Sequence, residues 1–211
     1  MGLVSNRIID YDVQIGLWEV TEDYETLLRI TYLNDDDMQR LDNFKNINRK
    51  IESLSVRTLL QRMTHPKARI IYKNNSRKPF VADGSHNISI SHSHNYTGIL
   101  LSKEKKVGID IEHMSHKIEL LAHKFINERE KITDDPLKRR THLYIHWCAK
   151  EALYKICDKE EINFQEHLTI EHFDLDTQGC IKGVVKNDSR NEEYKICYLL
   201  DNEYVIAYCA K

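Results

Sequence analysis

Lys105–Glu112 reads KKVGIDIE. Val107, Ile109 and Ile111 alternate with Gly108, Asp110 and Glu112, the period of a β-strand. Successive strand side chains point to opposite faces, so Asp110 and Glu112 point the same way. Two like charges at that spacing raise each other's pKa unless a positive group stands near. Either that face is solvated, or a cation meets it.

Outward from this strand the pattern is mixed. Before it, Asn87–Ser91 and Thr97–Ser102 read as short strands flanking Ser91-His92-Ser93-His94-Asn95. Ala68–Lys73 also alternates, and the run from Asn74 to Pro79 has turn chemistry. Further upstream, Val13–Trp18 reads as a strand. Helical spacing then runs through Tyr24, Leu27 and Leu28, and through Met38, Leu41 and Phe44. A longer helix is predicted from about Asn48 to Met63, with Ile51, Leu54, Thr58 and Leu59 on one stripe and Arg49, Lys50, Arg57 and Arg62 on the other face.

After the strand, Ile118, Leu121, Ala122 and Phe125 mark a short helix, and Leu137 to about Cys157 a long one without Gly or Pro. The C-terminus reads as a hairpin, Tyr194–Leu200 and Tyr204–Cys209, turning at Asp201-Asn202. This order of elements predicts an α+β fold.

Composition narrows the function classes. The chain has 211 residues, 41% of them hydrophobic and 30% charged, with a formal net charge of −2. That balance offers no global attraction for nucleic acid. No apolar run reaches the roughly eighteen residues of a membrane span. The first residues lack the pattern of a signal peptide, and Asn6 stands where a myristoylation signal has Ser or Thr. Five cysteines, with no C-x-x-C pair, predict reduced thiols and a cytoplasmic protein.

The second informative stretch is HWCAKEALYK, His146–Lys155. Glu151 and Lys155, four apart, share one helix face, and Trp147 stands one turn earlier. A plain surface ion pair has the same spacing. If Glu151 instead faces Asp110 and Glu112, three carboxylates converge, and a hard divalent cation such as Mg²⁺ neutralises them. Lys155 then adds a fixed positive charge for phosphates, which is equipment for phosphoryl transfer. The same acids also suit a Mg²⁺-dependent phosphohydrolase. His92, beside Ser91, is a candidate anion ligand or acid–base group. His142 and His146 have a zinc-compatible spacing, but no HExxH glutamate accompanies them; with eleven histidines present the spacing reads as coincidence.

Taken in order, SISHS, GIDIE, Phe125 with Glu128 and Glu130, and WCAKEALYK resemble the 4′-phosphopantetheinyl transferase superfamily. Its pattern is G-[IV]-D-x-[ED], then F-x-x-x-E, then W-x-x-K-E-[AS]-x-x-K. Here the glutamates stand three and five positions after Phe125, and none at four. The length of the chain, with RKPF and SISHS ahead of GIDIE, is similar to the surfactin-synthetase-activating type. That resemblance implies two similar α+β lobes, each an antiparallel sheet packed with helices, joined as an intramolecular pseudodimer. The lobes are expected at 1–103 and 104–211, the second carrying the metal site, and the chain is expected to be a monomer.

The resemblance implies Mg²⁺-dependent transfer of 4′-phosphopantetheine from coenzyme A to a serine of an acyl or peptidyl carrier protein, with release of adenosine 3′,5′-bisphosphate; Mn²⁺ is a possible substitute. Asp110, Glu112 and Glu151 are the implied metal ligands. Glu151, directly or through water, is the implied base, and Lys155 neutralises charge at the phosphate under attack. Ser91, His92, Arg57 and Lys78 are implied contacts to the coenzyme. Arg77 stands where the family has the glycine of G-K-P and shares that assignment with Lys78. Lys45, Arg49 and Arg62 are weaker assignments of the same kind. The basic run Lys124, Arg129, Lys131 and Lys138-Arg139-Arg140 is the expected dock for an acidic carrier helix, unless it is simply a solvated loop. A binding module that keeps the fold without catalysis is the remaining alternative.

Overall fold

A computed structural model describes residues 2–72, 78–115, 117–158 and 162–211. Its backbone contacts divide the chain into two units, Met1–Lys105 and Lys106–Lys211. The fold is α+β with antiparallel sheets.

In the first unit, β1 (Leu3–Asp10), β2 (Val13–Glu19), β5 (Asn87–Ser93) and β6 (Tyr96–Ser102) form a sheet of order β1-β2-β6-β5. Three helices lie between β2 and β5 in sequence: α1 (Tyr24–Ile30), α2 (Asp35–Asp42) and α3 (Ile47–Met63). A small ribbon, β3 (Ile70–Tyr72) with β4 (Pro79–Val81), follows them. Asn34 and Asn46 cap α2 and α3 by accepting from Asp37 N and Asn48 N, and the three aspartates opening α2 suit its positive end. The core gathers Trp18, Leu27, Leu41, Leu54, Leu59, Leu60, Ile70 and Ile99.

The second unit runs β7 (Val107–His113), two single 3₁₀ turns at Ile118–Leu120 and Ala122–Lys124, α4 (Pro136–Ile156), β8 (Leu168–Ile170), β9 (Gln178–Asn187), β10 (Arg190–Asp201) and β11 (Tyr204–Ala210). Its sheet order is β7-β11-β10-β9-β8. Asp135 caps α4 by accepting from Leu137 N at 3.0 Å, with Pro136 in the first turn, which is where proline's missing N–H costs nothing. The core is built on Phe125, Leu143, Tyr144, Ala149, Ala152, Leu153, Ile196 and Val205.

In each unit one strand (β2, β7) precedes the long helix, and the last strand of a later hairpin (β6, β11) pairs back on it. The strands those hairpins rejoin, β2 and β7, each carry a glycine under the long helix. A Cβ on Gly16 would meet Met63 Sδ at 2.3 Å, and one on Gly108 would meet the Ala152 carbonyl oxygen at 2.2 Å.

Two expectations change. The short helix around Ile118–Phe125 is a pair of 3₁₀ turns. The expectation of five reduced thiols is corrected: Cys180 on β9 lies directly opposite Cys197 on β10, and the two form a disulfide. Strand register brings together residues 17 apart, which spacing rules do not register. Cys148, Cys157 and Cys209 are free and buried. With the disulfide, the cysteine argument for a reducing compartment falls away. No helix among the described residues is long and apolar enough to cross a membrane.

Candidate active site

The acid-bearing face of β7 is largely covered. Helix α4 covers it, and Gly108 allows the close approach, because its Hα lies where any Cβ would strike the Ala152 carbonyl. Asp110 is in consequence 4% exposed. A carboxylate so desolvated needs compensation, and α4 provides it. Lys155 Nζ donates to Asp110 Oδ1 at 2.7 Å and to the Ile109 carbonyl at 2.9 Å. The Cys148 thiol lies 3.2 Å from Asp110 Oδ2 and 3.3 Å from the Val205 carbonyl. Burial, with the Asp110 and Glu112 charges adding, pushes that thiol well above the usual range, so it stays an S–H donor. Glu112, half-buried two residues on, accepts from Trp147 Nε1 at 3.0 Å.

Glu151 belongs to the same helix stripe. It follows Trp147 by four residues and Cys148 by three, and precedes Lys155 by four, so it shares their face. All three of those neighbours reach Asp110 or Glu112. Among the described residues, no group of three or more His, Cys, Asp or Glu side chains is arranged to hold a metal ion. The fold therefore brings the acids to one strand–helix junction without closing them into a cradle. Their chemistry, carboxylate oxygens only, with a desolvated Asp110 among them, suits a hard divalent cation.

Beneath this stripe lies a buried ion pair that anchors α4. Lys150, 0% exposed, donates to Glu130 Oε2 at 2.7 Å, to the Phe164 carbonyl at 3.0 Å and to the Phe125 carbonyl. Glu130 also accepts from the backbone N–H groups of Asn127 (2.9 Å) and Ile170 (2.8 Å). His146 Nδ1 stands 3.5 Å from Glu130 Oε1, an electrostatic contact too long for a good hydrogen bond. Burial pushes the Glu130 carboxyl up, but His146 and Lys150 outweigh it and leave it below the ordinary 4.5. The spacing departure after Phe125 is thereby resolved: Glu130 is the buried partner of Lys150, while Glu128 is exposed. Lys150 is structural, held away from solvent.

His142 and His146 are buried against Phe173, with ring centroids 4.6 and 5.4 Å from it. His142 Nδ1 accepts from Thr133 N–H at 3.1 Å, which places the neutral ring's proton on Nε2. They are core aromatics.

In the first unit, Ser91 is buried near the end of β5, and His92 beside it is exposed, its Nε2 3.8 Å from Glu52 Oε2. Lys78 Nζ lies 5.8 Å from the Phe80 ring centroid. Arg77 lies outside the described residues. The basic face expected on α3 is only partly solvated. Arg57 is 5% exposed and turned inward, donating to Ser53 O and Oγ and to Asp37 Oδ1 at 3.3 Å. Asp37 in turn accepts from Arg69 Nε at 2.8 Å. Arg57, expected at a coenzyme phosphate, is here paired with Asp37 on α2. The aspartate run at the start of α2 was the available signal for it. Arg49, by contrast, is exposed and paired with Glu52 at 2.9 Å.

A buried strand carboxylate, a second acid two residues along, and a helix stripe bearing Glu151 and Lys155 suit chemistry on phosphate groups. Residues 106–209 match the sequence profile of the 4′-phosphopantetheinyl transferase superfamily, nearly the whole of the second unit. That unit is a domain of this superfamily, whose members are transferases that carry phosphopantetheine from coenzyme A to carrier proteins and typically use a divalent metal. No curated protein matches the sequence.

Proposed function

We propose that the chain transfers the 4′-phosphopantetheine moiety of coenzyme A to a serine hydroxyl of an apo acyl or peptidyl carrier protein, releasing adenosine 3′,5′-bisphosphate. The observation that carries this reading is the α4 stripe set against the acids of β7: Trp147 on Glu112 at 3.0 Å, Lys155 on Asp110 at 2.7 Å, and Glu151 between them on the same face.

In this reading Asp110, Glu112 and Glu151 hold Mg²⁺, or Mn²⁺ in its place. The ion supplies charge neutralisation for the coenzyme's pyrophosphate oxygens. The carrier serine Oγ forms a bond to the β-phosphorus as the bridging P–O bond to the adenosine bisphosphate breaks. Its proton passes to the Glu151 carboxylate. Lys155, at the edge of the stripe, offsets charge growing on the leaving phosphate; its ammonium is already fixed by Asp110 and the Ile109 carbonyl, so little reorganisation is needed. Ser91, His92 and Lys78 contact the coenzyme's phosphates. The basic side chains Lys124, Arg129, Lys131 and Lys138-Arg139-Arg140, all exposed, receive the acidic face of the carrier.

The test is the mass of an apo carrier protein after incubation with coenzyme A, Mg²⁺ and the full chain. A gain of one phosphopantetheine, lost with Glu151→Gln, is expected. An unmodified carrier across a panel of acyl and peptidyl carriers, with phosphoester hydrolysis in its place, refutes the reading.

A further inference from the structure

The two β7 acids are each met by one of two consecutive α4 residues. Trp147 Nε1 donates to Glu112 Oε1 at 3.0 Å, and the Cys148 thiol approaches Asp110 Oδ2 at 3.2 Å. We propose that Trp147 and Cys148 are positioning residues, whose N–H and S–H fix the rotamers in which Glu112 and Asp110 present oxygens to a divalent cation. This rests on the metal reading given under Proposed function.

The geometry makes both donors rigid. The indole is stacked on Phe164 at 5.5 Å between centroids and meets Phe125 edge-on at 5.2 Å. Its N–H direction is thereby set by packing. Cys148 is fully buried. Its single proton has two acceptors in reach, Asp110 Oδ2 and the Val205 carbonyl, and a charged carboxylate is the stronger acceptor. Val205 is the register partner of Glu112 on β11, so Cys148 sits over the β7–β11 pairing between the two acids. Lys155 takes the other oxygen of Asp110, so that carboxylate is held at both oxygens. Outer groups of this kind orient metal ligands, and their loss lowers metal affinity by about 10–100-fold.

The test is the Kd for Mn²⁺, measured on the full chain by titration calorimetry and by the free-ion electron paramagnetic resonance signal, for the parent, Trp147→Phe, Cys148→Ala and Cys148→Ser. Thermal melts are recorded alongside, because a merely structural role lowers Tm without moving Kd. Trp147→Phe keeps the ring stack and removes the donor; Cys148→Ala removes the donor from a small buried site. Both are expected to weaken Mn²⁺ binding about 10–100-fold, and Cys148→Ser, which restores a donor, to return to within about threefold of the parent. Parent-like Kd values in Trp147→Phe and Cys148→Ala overturn the proposal. Cys148→Ser binding as weakly as Cys148→Ala overturns the donor role of Cys148. If Trp147→Phe does not fold, the Cys148 pair decides. A parent that binds no Mn²⁺ overturns the metal reading itself, and the proposal with it.

Discussion

Replacing Lys150 with Met should cost the protein more stability than removing any catalytic side chain. The ammonium is fully buried and satisfies Glu130 at 2.7 Å, the Phe164 carbonyl at 3.0 Å and the Phe125 carbonyl. Met fills nearly the same volume, so the cavity contribution is small. What is lost is the counter-charge of a buried carboxylate, together with three donated hydrogen bonds. Breaking a buried pair from one side costs about 3–5 kcal/mol, against a total of about 5–15 kcal/mol for a domain.

Glu130 keeps its bonds from the Asn127 and Ile170 amides, which argues for the lower half of that range. Adding Glu130→Gln to Lys150→Met removes the stranded charge and should return about 1–3 kcal/mol as a coupling energy. Urea unfolding followed by circular dichroism and tryptophan fluorescence measures all four corners of the cycle. The folded-state pKa of Glu130 lies below its ordinary 4.5. Its contribution is therefore present above that value and lost as pH falls through the folded one, so the gap between parent and Lys150→Met should narrow in acid. A Lys150→Met protein within about 1 kcal/mol of the parent at neutral pH refutes the reasoning, since surface pairs are worth no more than that.

Gly108→Ala should lower Tm by about 6–12 °C, because its Cβ would stand 2.2 Å from the Ala152 carbonyl, and overpacking costs about 3 kcal/mol at the upper end; an unchanged melt shows that α4 does not press on β7. Burial, helped by His146, His172 and Arg139, holds His142 at about 4 against an ordinary 6.5. The unfolded chain then binds the extra proton first, so stability is full above pH 6.5 and falls by roughly 3 kcal/mol as pH drops to about 4. His142→Phe should flatten that part of the stability–pH curve, and a curve unchanged by the substitution removes the assignment. Reversing Lys138 and Arg139 to Glu should raise KM for the carrier about tenfold or less, leaving KM for coenzyme A in place; equal effects on both substrates would falsify docking at that segment.

Much of the second unit was legible in its sequence. The alternation of KKVGIDIE marks β7, and the unbroken run from Leu137 marks α4, because strand and helix periods are relations between residues two to four apart. The same local arithmetic puts Glu151 and Lys155 on one face, and Asp110 and Glu112 on another. It is also why the superfamily was recognisable from wording and order alone. Elements with weak local periodicity are less legible. β1 has no clear alternation and stands by pairing with β2, β8 is three residues long, and the 3₁₀ turns mimic one helical turn.

What only the tertiary structure decided are matters of which face meets what. The acid face of β7, taken alone, reads as solvated until α4 lies on it. Arg57 looks like a surface base until Asp37 closes over it. Glu128 and Glu130 are equal candidates until Lys150 selects one, and Cys180 is one thiol of five until strand register sets Cys197 opposite. The physical reason is common to all four. Periodicity fixes where a side chain points relative to its own element, whereas burial, pairing and charge compensation are set by partners 17 to 45 residues away in sequence.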